Sequence, residues 1–132
     1  MIDQLRYDNR VVVVTGAGNG LGRAYAIDYA KRGAKVVVND LGGSQRGGDS
    51  GNKLSADTVV NEIQSFGGTA VANYDSVENG DSIIKTAIDT YGRIDILICN
   101  AGILRDVSFN KMTDEDFQLM VKIHLYGTYS VC

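Results

Sequence analysis

Residues 10–22 read RVVVVTGAGNGLG, an apolar run that leads into a turn with four glycines. The valine run is typical of a buried β-strand. Gly16, Gly18, Gly20 and Gly22 then stand where a strand would pass into a helix. Glycine at such a turn admits positive φ and lets a phosphate approach the N–H groups at the helix N-terminus. The spacing is G-x-x-x-G-x-G, not the commoner G-x-G-x-x-G, and a turn that serves only helix–strand packing is the alternative.

Composition and charge restrict the function classes. The chain has 132 residues, 44% of them hydrophobic, and a net charge of −3 from 13 basic and 16 acidic side chains. No basic run indicates a nucleic-acid partner, and no apolar run is long enough to cross a bilayer. The two cysteines, Cys99 and Cys132, lack the spacing of metal ligands, so no metal site is predicted.

Short β-branched blocks alternate with longer amphipathic stretches along the chain. The order βαβαβαβα predicts an α/β fold, the N-terminal part of a Rossmann-type doubly wound parallel sheet. We expect residues 1–132 to form a single domain. The predicted strands are 10–14, 35–39, 69–73 and 93–98, and the predicted helices are 21–32, 54–66, 80–91 and a last one from Thr113, where Asp116 completes a capping-box variant.

The sequence also predicts which face of the third helix is buried. Ile84, Ala87, Ile88 and Tyr91 recur at helical spacing, which predicts the buried face of the third helix.

Residues 41–53, LGGSQRGGDSGNK, follow the second strand and contain five glycines. They are interpreted as a surface loop, with a lid over bound adenosine as the alternative.

Polar residues follow the later strands at the edge where open parallel sheets bind ligands. Asp40 stands 20 residues after Gly20, and a carboxylate there accepts hydrogen bonds from a ribose and repels the 2′-phosphate of NADP. NAD is therefore the predicted cofactor, and an ordinary strand-end cap is the alternative for Asp40. Asp75 and Ser76 follow the third strand, where they could meet an adenine amino group, and residues 99–102, CNAG, follow the fourth.

TGAGNGLG, together with NAG about eighty residues later, resembles the short-chain dehydrogenase/reductase superfamily. VNDLGG, ANYDSVENG and YGRIDILICNAGILRD are similar to one branch, the (3R)-hydroxyacyl-CoA dehydrogenase units of peroxisomal multifunctional enzymes of type 2. The resemblance implies NAD-dependent oxidation of (3R)-3-hydroxyacyl-CoA to 3-ketoacyl-CoA in peroxisomal fatty-acid β-oxidation. It also implies a homodimer.

The same resemblance implies a role for each residue of a cofactor site. The residues that would line the pyrophosphate and the approach to the nicotinamide are Gly16, Asn19, Gly20, Leu21 and Gly22. Asp40 would hold the adenosine ribose, and Asp75 and Ser76 would hold the adenine. The residues that would lie against the nicotinamide ribose are Asn100, Ala101 and Gly102.

The chain departs from the superfamily pattern at two positions. Cys99 stands where the superfamily usually has the first asparagine of Asn-Asn-Ala-Gly. His124, three residues before Gly127, stands where many relatives have an asparagine that supports the catalytic lysine through water. A proton-relay role for His124 and a hydrogen-bonded core histidine are both open at this stage.

The residues that perform the family's chemistry are not found in the sequence. That chemistry needs a tyrosine followed four residues later by a lysine, and none of the seven tyrosines has one. No catalytic residue is therefore predicted. We expect the chain to be truncated before the catalytic half, to bind NAD without turnover, and to leave strand 93–98 at an edge that favours self-association.

Overall fold

The computed structural model describes residues 5–43 and 54–132, in which strands and helices alternate along the chain. Short 3₁₀ turns precede α3 and α4, at Val77–Asn79 and Phe109–Lys111, and one π-helical turn, Lys122–Tyr126, joins the last two helices. The strands and helices are β1 (Val11–Thr15), α1 (Gly20–Lys31), β2 (Lys35–Asn39), α2 (Leu54–Ser65), β3 (Thr69–Asn73), α3 (Gly80–Tyr91), β4 (Ile96–Ile98), α4 (Asp114–Val121) and α5 (Gly127–Val131).

The four strands form one parallel sheet in the order β3-β2-β1-β4. Each parallel connection crosses over through a helix, as βαβ units require. The sheet grows from β1 in both directions, so the position where the strand order reverses lies between β1 and β4. The predicted α/β fold of the Rossmann type, with its parallel doubly wound sheet, is confirmed.

Apolar side chains cover both faces of this sheet, which explains why β1 and β2 are nearly continuous valine runs. One face packs on α1 and α2 through a cluster that includes Val12, Val36 and Ile63. The other face packs on α3 and α5 through a cluster that includes Val13 and Ile83. The ends of the strands that bear polar residues are thereby held by a core on each side.

The boundaries of two strands differ from the sequence prediction. β1 begins and ends one residue later than predicted, so Thr15 belongs to the strand. β4 spans only three residues, and Arg93 and Asp95 form a side-chain ion pair before it begins. Asp95 also accepts a hydrogen bond from the Val11 N–H at 2.8 Å.

Two helical predictions are right in part. Thr113 caps α4 as predicted, accepting a hydrogen bond from the Asp116 N–H at 3.1 Å. Asp116 completes no capping box, because its carboxylate pairs with Arg105 at 2.8 Å. The buried face of α3 is centred on Ile83 and Ala87, while Ile88 of the predicted stripe is exposed.

The prediction for the glycine-rich stretch 41–53 falls mainly outside the described residues, which resume at residue 54. Residues 41–43 are described, and the Gly42 N–H donates to the Asp40 carboxylate at 2.7 Å. Within residues 5–43 and 54–132, no helix combines the length and the apolar character needed to cross a membrane.

Candidate functional site

The C-terminal ends of the strands bring most of the predicted site residues to one edge of the sheet. Thr15, the last residue of β1, lies opposite Asn39 at the end of β2, and Asn39 lies opposite Asn73 at the end of β3. The turns that follow these strands carry the glycines, Asp40, Asp75 and the segment after β4. This is the edge at which open α/β sheets bind ligands.

The turn from β1 to α1 has the geometry of a phosphate site. Gly16 and Gly20 have φ values of +63° and +53°, which glycine adopts without strain. α1 begins with Asn19 as its N-cap, without a side-chain cap and without an acidic residue in the first turn. The first turn of α1 itself therefore holds no carboxylate that would offset the positive end of the helix dipole.

Two residues near the start of α1 have opposite surroundings. Gly22 is buried, and a Cβ atom there would overlap the Gly16 carbonyl group, so the helix packs directly on the turn. Leu21, the second residue of α1, is 68% exposed. A ligand at this turn would cover apolar surface on Leu21.

Asp40 fixes the glycine turn from the neighbouring strand. Its Oδ2 accepts a hydrogen bond from the Gly18 N–H at 2.8 Å, and its Oδ1 accepts one from the Gly42 N–H at 2.7 Å. A Cβ atom on Gly18 would lie only 2.6 Å from Oδ2, so this contact requires glycine. Each carboxylate oxygen can accept a further hydrogen bond, which leaves Asp40 able to bind a hydroxyl pair.

Asp75 and Ser76 begin the connection from β3 to α3. The Asp75 N–H donates to Asn73 Oδ1 at 3.0 Å, and Asp75 Oδ2 accepts from Asn73 Nδ2 at 2.9 Å. Ser76 caps the short 3₁₀ turn by accepting from the Glu78 N–H. The Ser76 hydroxyl is thus engaged in local structure, whereas the Asp75 side chain is half-buried at the site edge.

Asn100 and Ala101 are attached to the end of β1 by Thr15. The Thr15 hydroxyl accepts hydrogen bonds from both the Asn100 and the Ala101 N–H at 3.0 Å. The Asn100 side-chain amide donates to the carbonyl oxygens of Thr15 and Gly16 at 3.1 Å. Asn100 therefore supports the glycine turn directly.

His124 closes the far side of this segment from the π-helical turn. Its Nε2 lies 2.8 Å from the Ile103 carbonyl oxygen and 3.2 Å from the Ile103 N. A Cβ atom on Gly102 would lie 2.8 Å from Cε1 of the imidazole, so glycine at position 102 makes room for the ring. His124 is hydrogen-bonded as one alternative anticipated, but it is exposed and not a core residue.

The structure adds three residues that the sequence reasoning did not assign. Thr15, Asn39 and Asn73 are the buried polar residues of the described ranges, with exposures of 1%, 1% and 5%. Asn39 and Asn73 each end a five-residue strand, KVVVN and TAVAN. That shared strand-final asparagine is the signal that could have identified the pair.

The chemistry of the remaining groups is limited. No cluster of His, Cys, Asp or Glu suited to a metal ion occurs among residues 5–43 and 54–132. Burial, together with the neighbouring Cys132 thiol, raises the pKa of the Cys99 thiol to about 11. Cys99 is therefore protonated at neutral pH and a poor nucleophile. The arrangement is suited to holding a nucleotide.

Comparison with known proteins identifies the family. A model of the short-chain dehydrogenase family matches residues 10–132. The chain belongs to the short-chain dehydrogenases. The predicted membership, made from TGAGNGLG and NAG, is confirmed.

Relatives of this short-chain dehydrogenase include large peroxisomal proteins. It is 64% identical over 129 residues to the peroxisomal hydratase-dehydrogenase-epimerase of Neurospora crassa, covering 98% of this chain and 14% of that protein. It matches the structure of full-length peroxisomal multifunctional enzyme type 2 from Drosophila melanogaster with a TM-score of 0.74 and 45% identity, covering 96% of this chain and 19% of that one.

A smaller family member shows the same fold. A short-chain dehydrogenase from Mycobacterium avium matches with a TM-score of 0.82 and 42% identity, covering 94% of this chain and 44% of that one. This chain thus spans less than half of that structure, and 14% to 29% of the curated peroxisomal relatives from Neurospora crassa and Dictyostelium discoideum.

Proposed function

We propose that this short-chain dehydrogenase is the NAD-binding part of an NAD-dependent (3R)-3-hydroxyacyl-CoA dehydrogenase of peroxisomal fatty-acid β-oxidation. Relatives at 57% to 64% identity are named as peroxisomal hydratase-dehydrogenase-epimerases and multifunctional enzymes. Their names support a peroxisomal location and a dehydrogenase reaction for the protein that contains this chain. Membership of the short-chain dehydrogenases implies a nicotinamide cofactor.

The residues present fit a dinucleotide laid along the edge of the sheet. The turn from Gly16 to Gly22 would receive the pyrophosphate, because its N–H groups and the helix dipole favour an anion. Asp40 would bind the adenosine ribose and Asp75 the adenine, while the segment 100–102 would lie against the nicotinamide ribose. When bound, NAD supplies the hydride acceptor for oxidation of the 3-hydroxyl group.

The proposed preference for NAD over NADP rests on Asp40. Its carboxylate lies at the end of β2, fixed by two backbone N–H groups at 2.7 and 2.8 Å. A fixed negative charge there accepts hydrogen bonds from ribose hydroxyls and repels a 2′-phosphate. No Arg or Lys follows directly in the sequence, since Leu41 is the next residue.

Replacement of Asp40 tests this assignment. We expect Asp40→Ala to weaken NAD binding roughly tenfold to a hundredfold, because hydrogen bonds to a charged group are lost. Asp40→Asn is the matched variant, since it removes the charge but keeps an acceptor for the Gly18 N–H. We expect it to reduce the preference for NAD over NADP with less disturbance of the turn. Calorimetric titration with both cofactors measures these effects, and equal affinities in the unmodified chain would contradict the proposal.

A second candidate function is cofactor binding without catalysis by the 132 residues alone. It is favoured because none of the seven tyrosines is followed four residues later by a lysine. NADH formation from a (3R)-3-hydroxyacyl-CoA distinguishes the two candidates. We expect no turnover from these residues and turnover from a longer form that adds Tyr-x-x-x-Lys.

We also infer that the protein forms a homodimer through its last helical segment. Phe117, Val121, Leu125 and Tyr129 recur every fourth residue along α4, the π-helical turn and α5, and we call them the apolar stripe. Their exposures are 56%, 39%, 69% and 76%. An exposed row of this kind is typical of an association surface. A second copy of this chain is the proposed partner.

A further inference from the structure

We propose that Asn39 and Asn73 are positioning residues that make the site selective for adenine, by fixing the carboxylate of Asp75. The inference rests on the proposed NAD site and deepens it. The two asparagines and Thr15 form a buried row across the ends of β1, β2 and β3, which we call the polar row. The row lies directly beneath the proposed site.

The polar row is a continuous feature of the sheet. Thr15 pairs with Asn39 and Asn39 pairs with Asn73, each at the last register position of its strand pair. All three residues are at most 5% exposed. Two residues earlier on the same face, Val13 and Val37 fill the equivalent positions with apolar side chains. The change from valine to asparagine therefore occurs at the site edge.

The hydrogen bonds of the two asparagines converge on Asp75. Asn39 Nδ2 donates to Asn73 Oδ1 at 2.8 Å and to the Asp75 carbonyl oxygen at 2.9 Å. Asn73 Oδ1 accepts from the Asp75 N–H, and Asn73 Nδ2 donates to Asp75 Oδ2 at 2.9 Å. The backbone and the carboxylate of Asp75 are thus held from below at three atoms.

Asn73 is itself oriented by α3. Its Nδ2 also donates to the Thr86 hydroxyl at 2.8 Å, and that hydroxyl donates to the Ser82 carbonyl oxygen. The Asn73 amide is therefore fixed on both sides, which directs its second N–H toward Asp75. The amide can serve as a rigid support for the carboxylate.

This arrangement leaves one carboxylate oxygen available to a ligand. Asp75 Oδ2 is occupied by Asn73, whereas Oδ1 has no donor among residues 5–43 and 54–132. A fixed acceptor accepts a hydrogen bond from the exocyclic amino group of adenine. Hypoxanthine has an oxygen at that position, which would face the carboxylate and be repelled.

Burial makes a purely packing role a poor explanation for these side chains. A buried amide has a desolvation cost that a valine at the same position would not have. The two asparagines offset that desolvation cost through hydrogen bonds to each other, to Thr86 and to Asp75. Their net contribution to stability is therefore small, whereas their hydrogen bonds to Asp75 fix the direction of its carboxylate.

The test compares NAD with nicotinamide hypoxanthine dinucleotide, which differ at the base. Calorimetry gives the ratio of dissociation constants for the full chain and for Asn73→Ala, Asn39→Ala and Asp75→Ala. We expect the unmodified chain to prefer NAD by roughly tenfold or more, as loss of a charge-assisted hydrogen bond implies. Asn73→Ala should bring the ratio close to that of Asp75→Ala, and Asn39→Ala should lower it in the same direction.

Val37→Ala is the matched control, because it opens a cavity on the same strand and face without touching Asp75. It should lower the unfolding temperature and leave the base preference unchanged. Asn73→Ser, which is polar but too short to reach the carboxylate, replaces Asn73→Ala if that variant does not fold. A chain that binds neither dinucleotide refutes the proposed function. A chain that binds NAD but keeps its base preference in a folded Asn73 variant, or has none to begin with, refutes this inference.

Discussion

At the scale of single residues, His124 shows how one side chain can hold a functional segment. One nitrogen, Nε2, faces both the carbonyl oxygen and the N–H of Ile103. A neutral imidazole nitrogen is either a donor or an acceptor, so it satisfies one of these groups at a time. A side-chain amide, with an oxygen and an NH₂ group, can satisfy both. His124 thus holds the segment after β4 by a single exchangeable contact.

Replacement of His124 tests whether this side chain holds the segment after β4 in place. We expect His124→Ala to lower the free energy of unfolding by about 1 kcal/mol, the net value of one hydrogen bond, and to weaken NAD binding. His124→Asn should retain both properties. Thermal unfolding and NAD titration are the measurements, and an alanine variant equal to the unmodified chain in both would contradict the role.

Sequence reasoning at this scale is most specific where a residue type has few uses. Glycines at a strand-to-helix turn and an aspartate after β2 have a narrow set of explanations, so the sequence predicts binding roles for the turn and Asp40. The structure brings the two into contact, and their binding roles stay predictions. Asn39 and Asn73 were missed because asparagine at the end of a strand is usually a turn residue. Only their register across β2 and β3 shows that they bond to each other.

At the scale of elements, Asp95 ties the start of β4 to the start of β1. Its carboxylate accepts hydrogen bonds from the Val11 N–H, from Arg10 and from Arg93. The Arg93 hydrogen bond, with the Val11 N–H and Arg10, lowers the pKa of Asp95 from its ordinary value of 3.8 to about 2. β4 spans only three residues, and this contact lies directly before its first one.

The depressed pKa predicts how stability depends on pH. A carboxylate with a lowered pKa in the folded state stabilises the protein above about pH 4, and this contribution is lost as the pH falls toward 2. Asp95→Asn should therefore unfold at lower temperature than the unmodified chain at pH 7. The difference should shrink between pH 4 and pH 2.

Asp89→Asn is the control, since it removes an exposed ion pair with Lys85 on α3. Exposed pairs contribute little, so its unfolding temperature should stay close to that of the unmodified chain. Thermal unfolding across the pH range checks both variants. A gap between Asp95→Asn and the unmodified chain that stays constant from pH 7 to pH 2 would refute the linkage.

The elements themselves were largely predictable from local patterns. Valine runs bounded by glycine located β1 and β2, and the alternation with helical stretches gave the parallel order. The π-helical turn at Lys122–Tyr126 was not predicted, because a single turn with i→i+5 hydrogen bonds is too short to show a sequence periodicity of its own. The sequence pattern does not fix which residues of a helix are buried, as Ile88 shows. Neighbouring faces of one helix can be equally apolar, and only the tertiary contacts decide which face is covered.

At the scale of the whole molecule, the distribution of exposed apolar side chains is uneven. The sheet is covered by helices on both faces, yet the apolar stripe on α4 and α5 stays open. Tyr126 and Tyr129 add an aromatic pair beside it, with ring centroids 6.1 Å apart. Surface of this kind associates readily in water.

We expect the chain to be dimeric or larger in solution. Replacing Leu125 and Tyr129 together by lysine should convert it to a monomer, because two charges would have to be desolvated at the contact. Ile88→Lys on α3 is the control and should leave the assembly unchanged. Sedimentation velocity reports the masses, and a monodisperse monomer from the unmodified chain would contradict the proposed dimer.

The contact between Gly18 and Asp40 constrains any redesign of coenzyme preference. The Asp40 carboxylate is the acceptor for the Gly18 N–H, and its Oδ2 occupies the space into which a Cβ at position 18 would project. In the proposed cofactor site, adaptation to a phosphorylated coenzyme would mean removing that carboxylate, and the glycine turn would then lose its anchor. Positions 18 and 40 are therefore coupled, yet a smaller residue at 40 does not by itself make room for a side chain at 18, because a Cβ atom there would also lie 2.7 Å from the Ser55 Cβ.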